Sequence, residues 1–324
     1  MNKNSLHLIA FSILAFALVM ACKKNDDNSS TITDVNKSDV SMFSALRSAP
    51  QTFTVTAGIG KKIKGASGTL LEFYPNSFMD KNGNILTSGT VNIELTEMYS
   101  VGEMIANRTS TTTSYGVLNS GGEVNIKATM GGQEVFANKY RIGFKASSNV
   151  QNKPMSLYVK GENNTDSITV WAITKMGSLL QSSLITDTSW SLIEAPYFIF
   201  DSCSTFKMIN CDHPYDSTSK NVTITVKFGV NSFKQACGSL SVSFASLNVA
   251  TILFASQYNA NSNEMTFKGW VPTGPACKFA LMIPKDVNNF YYFEQSGNVT
   301  NDMAIEANVT LLSKADLQAK LRAL

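Results

Sequence analysis

From Thr52 onward, apolar and polar residues alternate with a period of two. Val91, Ile93 and Leu95 alternate with Asn92, Glu94 and Thr96, and Val124, Ile126 and Ala128 with Asn125, Lys127 and Thr129. Met155, Leu157 and Val159 alternate with Ser156, Tyr158 and Lys160; Val222, Ile224, Val226 and Phe228 with Thr223, Thr225 and Lys227. Successive strand side chains point to opposite faces, so each run predicts an antiparallel strand buried on one face. Asn82-Gly83, Gly121-Gly122, Gly131-Gly132 and Gly161 supply turns between the runs. Many short strands so spaced predict an all-β protein. We expect an antiparallel β-sandwich over 51–205, a second, smaller β-domain over 218–312 and a C-terminal helix over 313–324. The pattern breaks at Cys211-Asp212-His213-Pro214, so 206–217 reads as an interdomain segment. Ser313 caps the helix, Asp316 sits three residues on, and Leu317 and Leu321 lie one turn apart.

The N-terminus has a different pattern. Lys3 is followed by an apolar run from Leu8 to Met20, interrupted only by Ser12. A bilayer-crossing helix needs roughly 20 residues, so this run is too short for a permanent span. It ends in Val19-Met20-Ala21-Cys22, which resembles the lipobox of bacterial lipoproteins. That resemblance implies a signal peptide over 1–21, cleavage before Cys22, and lipid on the Cys22 thiol and often on its new amine. The polar, irregular stretch 22–50 reads as a lipidated flexible tether. Lys23, Lys24, Asp26 and Asp27 follow the cysteine, and acidic residues there resemble the signal that exports Bacteroidota-type lipoproteins to the cell surface. The expected location is therefore the outer membrane, with the cell surface favoured over the periplasmic face.

Composition agrees with export. Charged residues are 16% of the chain, below the roughly 25% typical of soluble proteins, and the net charge is only +3. So small and evenly spread a charge, with no basic patch interleaved with aromatics, argues against nucleic acid as a partner. With Cys22 lipidated, four cysteines remain: Cys203, Cys211, Cys237 and Cys277. An even number in an oxidising compartment predicts two disulfides. Of three connectivities, Cys203–Cys211 with Cys237–Cys277 joins neighbouring segments.

The segment from Gly68-Thr69-Leu70-Leu71-Glu72-Phe73-Tyr74-Pro75-Asn76-Ser77-Phe78 through Asp80-Lys81-Asn82-Gly83-Asn84 carries a further resemblance. So do Gly89 to Tyr99, Glu103-Met104-Ile105, Gly121-Gly122-Glu123-Val124 and Lys207-Met208-Ile209-Asn210-Cys211-Asp212. Together, over 52–215, they resemble an uncharacterised β-sandwich module of exported Bacteroidota-type proteins, distantly similar to the sandwich domains of ankyrins and netrin receptors. The resemblance implies a fold and a compartment, and no reaction. Asp166-Ser167-Ile168 and Asp216-Ser217-Thr218 resemble the O-glycosylation acceptor of such proteins, which makes Ser167 and Ser217 candidate acceptors.

Candidate chemistry is sparse. His213 is the only histidine after the signal peptide, which excludes a multi-histidine metal site. Cys211, Asp212, His213 and Asp216 form a cluster in sequence, but adjacent residues on an extended chain diverge, so no metal is expected. Asp80-Lys81-Asn82-Gly83-Asn84 opens like a calcium loop, yet Gly83 is fourth where sixth is needed and Val91 stands where Glu is needed twelfth. A turn on Asn82-Gly83 explains it better. Ser204-Thr205-Phe206-Lys207 matches Ser-x-x-Lys without a helix or a later Lys-Thr-Gly. Gly58-Ile59-Gly60-Lys61 lacks the spacing and the hydroxyl residue of a phosphate loop, with no helix after it. The expected role is a non-enzymatic binding or structural module, anchored to the outer membrane by its lipid. It would need no cofactor, and an envelope protein or glycan would be its ligand. The alternative is a carboxylate-based glycan hydrolase, which needs two facing carboxylates. Glu94 and Glu97 do not qualify, because their odd spacing puts them on opposite strand faces.

Overall fold

The computed structural model describes residues 42–113, 116–147, 150, 153–160, 197–215, 219–229, 233 and 238–324, and the backbone alone of 169–173 and 183–185. The signal peptide, Cys22, Lys23, Lys24, Asp26, Asp27, Ser167, Ser217 and Cys237 lie outside them.

The protein is all-β, with two short α-helices among the described residues, as the period-two pattern predicts. Its first sheet runs, in spatial order, Gln51–Thr56, Thr90–Met98, Gly116–Met130, Met208–Pro214, Ser156–Lys160, Thr169–Ile173 and Thr109–Thr113. The last of these pairs back onto Gly116–Met130, so the sheet curls closed at that end. A second sheet of Ser183–Ile185, Tyr197–Cys203, Tyr140–Lys145, Leu70–Phe73 and Lys61–Lys64 packs against its other part. Val91, Ile93, Leu95, Val124 and Ile126 from the first sheet meet Leu71, Phe73, Ile142, Phe144 and Phe200 from the second. At about 25 cal/mol per Å² of apolar surface, each such side chain contributes roughly 1.5–3 kcal/mol.

The second domain is one eight-stranded sheet. Its order is Met303–Ala307, Ser219–Phe228, Glu264–Pro272, Val249–Asn259, Ser239–Phe244, Ala276–Pro284, Asn289–Asn298 and Thr310–Ser313. Val249–Asn259 carries a register shift between Ala255 and Gln257 where the sheet turns a corner, bringing Val222, Ile224 and Val226 into one core with Val242, Phe279 and Leu281. Among the described residues, two strand pairs are parallel rather than antiparallel: Thr169–Ile173 with Thr109–Thr113, and Met303–Ala307 with Ser219–Phe228.

A third apolar cluster joins the domains. The α1 helix, Val101–Asn107, packs with α2, Lys314–Arg322, and with a tight turn at Phe43–Leu46 against Ala250, Ile252, Ala280, Met282 and Phe290. Ser313 caps α2 and accepts from the Asp316 backbone N–H at 3.2 Å, while Leu317 and Leu321 are fully buried, as their spacing predicts.

Four expectations are corrected. The segment expected to link the domains holds the strand Met208–Pro214, paired on both sides within the first sheet. Along Ser156–Lys160 the most buried residue is Tyr158, with Leu157 and Val159 only half-buried, because the curled sheet covers the face expected to be solvated. The helix α1 was not expected at all. Finally, Cys203, Cys211 and Cys277 are free buried thiols. Cys203 sits on the second sheet opposite Tyr140 and Cys211 on the first opposite Leu157, so neighbouring segments in sequence belong to opposite sheets. Burial raises the thiol pKa of Cys203 to about 12 and of Cys277 to about 11, which keeps both protonated and unreactive at neutral pH.

Candidate functional site

The sandwich buries one face of the first sheet and leaves the other to form the site. On Thr90–Met98 the residues Glu94, Thr96 and Met98 face away from the sandwich core, and cross-strand register sets them opposite Lys127, Asn125 and Glu123, with Met98 and Glu123 buried at the far end. The odd-spaced Glu97 lies on the core side, as sequence spacing requires. It accepts from Gln51 Nε2 at 2.7 Å and from the backbone N–H groups of Ser67 and Thr69 at 2.9 and 2.8 Å, so its role is to hold the 65–69 turn.

Over the outward face lies a cleft of about 510 Å³, within the range of small-ligand sites. Five cationic side chains line it, Arg47, Arg108, Lys127, Lys160 and Lys207, with two acidic ones, Glu94 and Glu134. Lys127 and Glu94 stand 3.8 Å apart as an exposed pair that contributes little. One wall is the chain segment entering the first strand. Asn107 Oδ1 accepts from the Ser48 backbone N–H at 3.2 Å, and Gln318 Nε2 donates to the Leu46 carbonyl at 3.2 Å, so both helices pin it. The expected tether therefore ends in the wall of the cleft.

Arg108 follows directly after α1, with φ at 64°. It is almost fully buried, and its guanidinium lies 4.3 Å from the centroid of Phe43 and 4.7 Å from that of Phe254. Its Nη1 donates to Ser239 Oγ at 3.0 Å, while Nε and Nη2 are buried without a partner among the described residues. Burial, and then the positive charge of Arg47, pull its pKa below the usual arginine value.

Along the same face, inside the curl, lies a sealed polar cluster. Asp212 pairs in register with Ser120, and Asn210 with Glu123. The Asn210 amide donates to Glu123 Oε1 at 3.4 Å and also to Asp212 Oδ2, and Ser120 Oγ donates to Asn210 Oδ1 at 3.2 Å. Both carboxylates are fully buried. Burial first, then the neighbouring Glu123 charge, raises the Asp212 pKa well above the carboxylate range. Two carboxylates on one amide stand close enough for the geometry of a retaining glycosidase, yet both are fully buried and neither lines the cleft, so neither meets a sugar there.

Of the residues clustered in sequence near 211, Cys211 points into the sandwich core and Asp212 into the curl, while His213 Nδ1 lies 3.0 Å from the Pro154 carbonyl oxygen. Alternation separates them, as expected of adjacent strand residues, and no group of three metal-ligating side chains forms among the described residues. Asp80 Oδ1 accepts from the Asn82 and Asn84 backbone N–H groups at 2.8 and 2.9 Å, closing the turn expected on Asn82-Gly83. Sequence reasoning missed Arg108 and the Glu123–Asp212 pair. The signal for the pair was alternation, since Glu123 continues the polar series of Asn125 and Lys127. No helix among the described residues is long and apolar enough to cross a membrane. No protein-family model matches the chain, and no curated protein matches it in sequence.

Proposed function

We propose that the protein is a non-enzymatic binding lipoprotein of the cell envelope. It is held to the outer membrane by lipid on Cys22 and takes a glycan ligand in the cleft on the outward face of its first sheet. The observation that carries this reading is the cleft itself, with five cationic groups against two acidic ones at the point where the chain leaves the expected tether. Pinning of that segment by α1 and α2 supports a fixed presentation of the cleft to ligands beyond the lipid surface. The test uses full-length protein on two readouts. Labelled palmitate enters the wild type and not Cys22→Ala. Envelope polysaccharide retains the wild type, and the pair Lys127→Glu with Lys160→Glu reduces retention at least about tenfold, since two charge reversals change a local field by several kcal/mol at short range. Equal retention of both proteins refutes the cleft, and equal labelling refutes the anchor.

A further inference from the structure

We infer that Arg108 is a receptor for a planar carboxylate on the cleft's ligand, held side-on by its Nε and Nη2 donors. This inference rests on the cleft reading above and names the chemistry within it. An arginine presents two forks, and the one made by Nε–H and Nη2–H matches the two oxygens of a carboxylate. At Arg108 that fork is the unpartnered part, while Nη1 is engaged by Ser239. A buried donor without an acceptor costs about 1–3 kcal/mol, more on a charged group, so two on one guanidinium mark a site where an acceptor belongs. The guanidinium carbon lies over the rings of Phe43 and Phe254, at 4.3 and 4.7 Å, which favours in-plane approach to the fork. A flat carboxylate fits that approach better than a tetrahedral phosphate. Arg108 lines the cleft with its fork just beneath the surface, so the ligand's carboxylate reaches the fork as the exposed Arg47 side chain on the same lining moves aside. Five cationic groups against two acidic ones on the same lining favour an acidic sugar, so the ligand group is a carboxylate such as that of a uronic acid.

Calorimetric titration of the full-length chain in detergent, with sodium glucuronate, inorganic phosphate and glucose as separate probes, tests this. Glucuronate is expected to bind one per chain with a dissociation constant near or below about 1 mM. Phosphate is expected to bind at least about tenfold more weakly, and glucose not to register. Arg108→Lys keeps a charge and loses the fork, and should weaken glucuronate at least about tenfold. Lys81→Ala, on an exposed turn outside the cleft, should change affinity by less than about threefold. Should Arg108→Lys not fold, the arginine Nε resonance of Arg108 in ¹⁵N-labelled wild type decides the matter, because it must shift with glucuronate and stay still with glucose. Tighter binding of phosphate than of glucuronate overturns the planar assignment. Equal binding of glucuronate and glucose overturns the carboxylate while leaving the cleft reading intact. No binding by any probe, or an unmoved Nε resonance, overturns the inference, and the polysaccharide retention test judges the cleft separately.

Discussion

The Asp212 carboxyl is enclosed on all sides, and its chemistry is decided by what it lacks. Burial, and then the Glu123 charge, raise its pKa, and hydrogen bonds from Ser120, Asn210 and the Gly121 backbone offset them only in part. Its folded pKa is therefore above the unfolded value of about 3.9. The folded state then binds more protons than the unfolded state, so stability is greatest below about pH 4 and falls as pH rises toward the folded pKa. For one proton that slope approaches about 1.4 kcal/mol per pH unit. Asp212→Asn removes the titration and keeps an oxygen for the Asn210 amide. Urea midpoints measured at pH 4, 5.5 and 7 should fall with pH in the wild type and stay level in the variant, apart from effects common to both. Parallel curves would refute the assignment. At this scale the sequence was legible where alternation alone decided, as for Val91, Ile93 and Leu95 inside and Glu94 outside. It was silent on the cysteines. An even count predicts pairing, yet whether two thiols meet depends on which sheet each strand joins, and local sequence carries no sign of that.

Among the elements, α1 is the one that sequence reading passed over, although its start signal was present. Ser100 accepts from the Glu103 backbone N–H at 3.3 Å, and Glu103 Oε2 accepts from the Ser100 backbone N–H at 2.9 Å, a complete capping box. Two features hid it: the helix has only seven residues, and its second is a glycine, which disfavours helix by about 1 kcal/mol relative to alanine. The glycine has a packing reason. A Cβ on Gly102 would sit 1.8 Å from the Leu321 carbonyl oxygen, so α1 and α2 cross at the distance of backbone on side-chain-free backbone. Gly102→Ala should therefore destabilise despite the gain in helix propensity, by about 1–3 kcal/mol once the helices shift apart. A lower thermal midpoint would bear this out, and an unchanged or raised one would show that the helices are not in contact in solution. The strand Met208–Pro214 was misread for a related reason. Buried on both faces, it mixes Ile209 and Cys211 on one side with Asn210 and Asp212 on the other, and the buried polar side erased the contrast that marks a half-solvated strand.

For the molecule as a whole, two domains were legible, and their fusion was not. Interdomain contacts inside one chain usually resemble transient interfaces and allow relative motion. Here the contact is a third core, with Phe43, Leu46, Met104, Ile105, Leu317 and Leu321 buried against the second domain's eight-stranded sheet at Ala250 and Ile252. Polar bonds stitch its margin. Asn248 Nδ2 donates to the Ser120 and Tyr99 carbonyls at 2.8 and 3.2 Å, Thr111 Oγ1 accepts from the Ala250 backbone N–H at 3.1 Å, and Arg108 reaches Ser239. Losing this junction would expose a large apolar area in both domains, so opening it costs far more than the roughly 1 kcal/mol of a single hydrogen bond. The two domains should consequently unfold together. Scanning calorimetry is expected to give one transition, with van't Hoff and calorimetric enthalpies equal, and heating should destroy the cleft and the second domain at the same temperature. Two resolved transitions, or a calorimetric enthalpy well above the van't Hoff value, would mean that the domains melt separately. Because α1 and α2 both pin the segment around Ser48, the end of the expected tether also belongs to this cooperative unit, and a pull on the tether is borne by the shared core rather than by either domain alone.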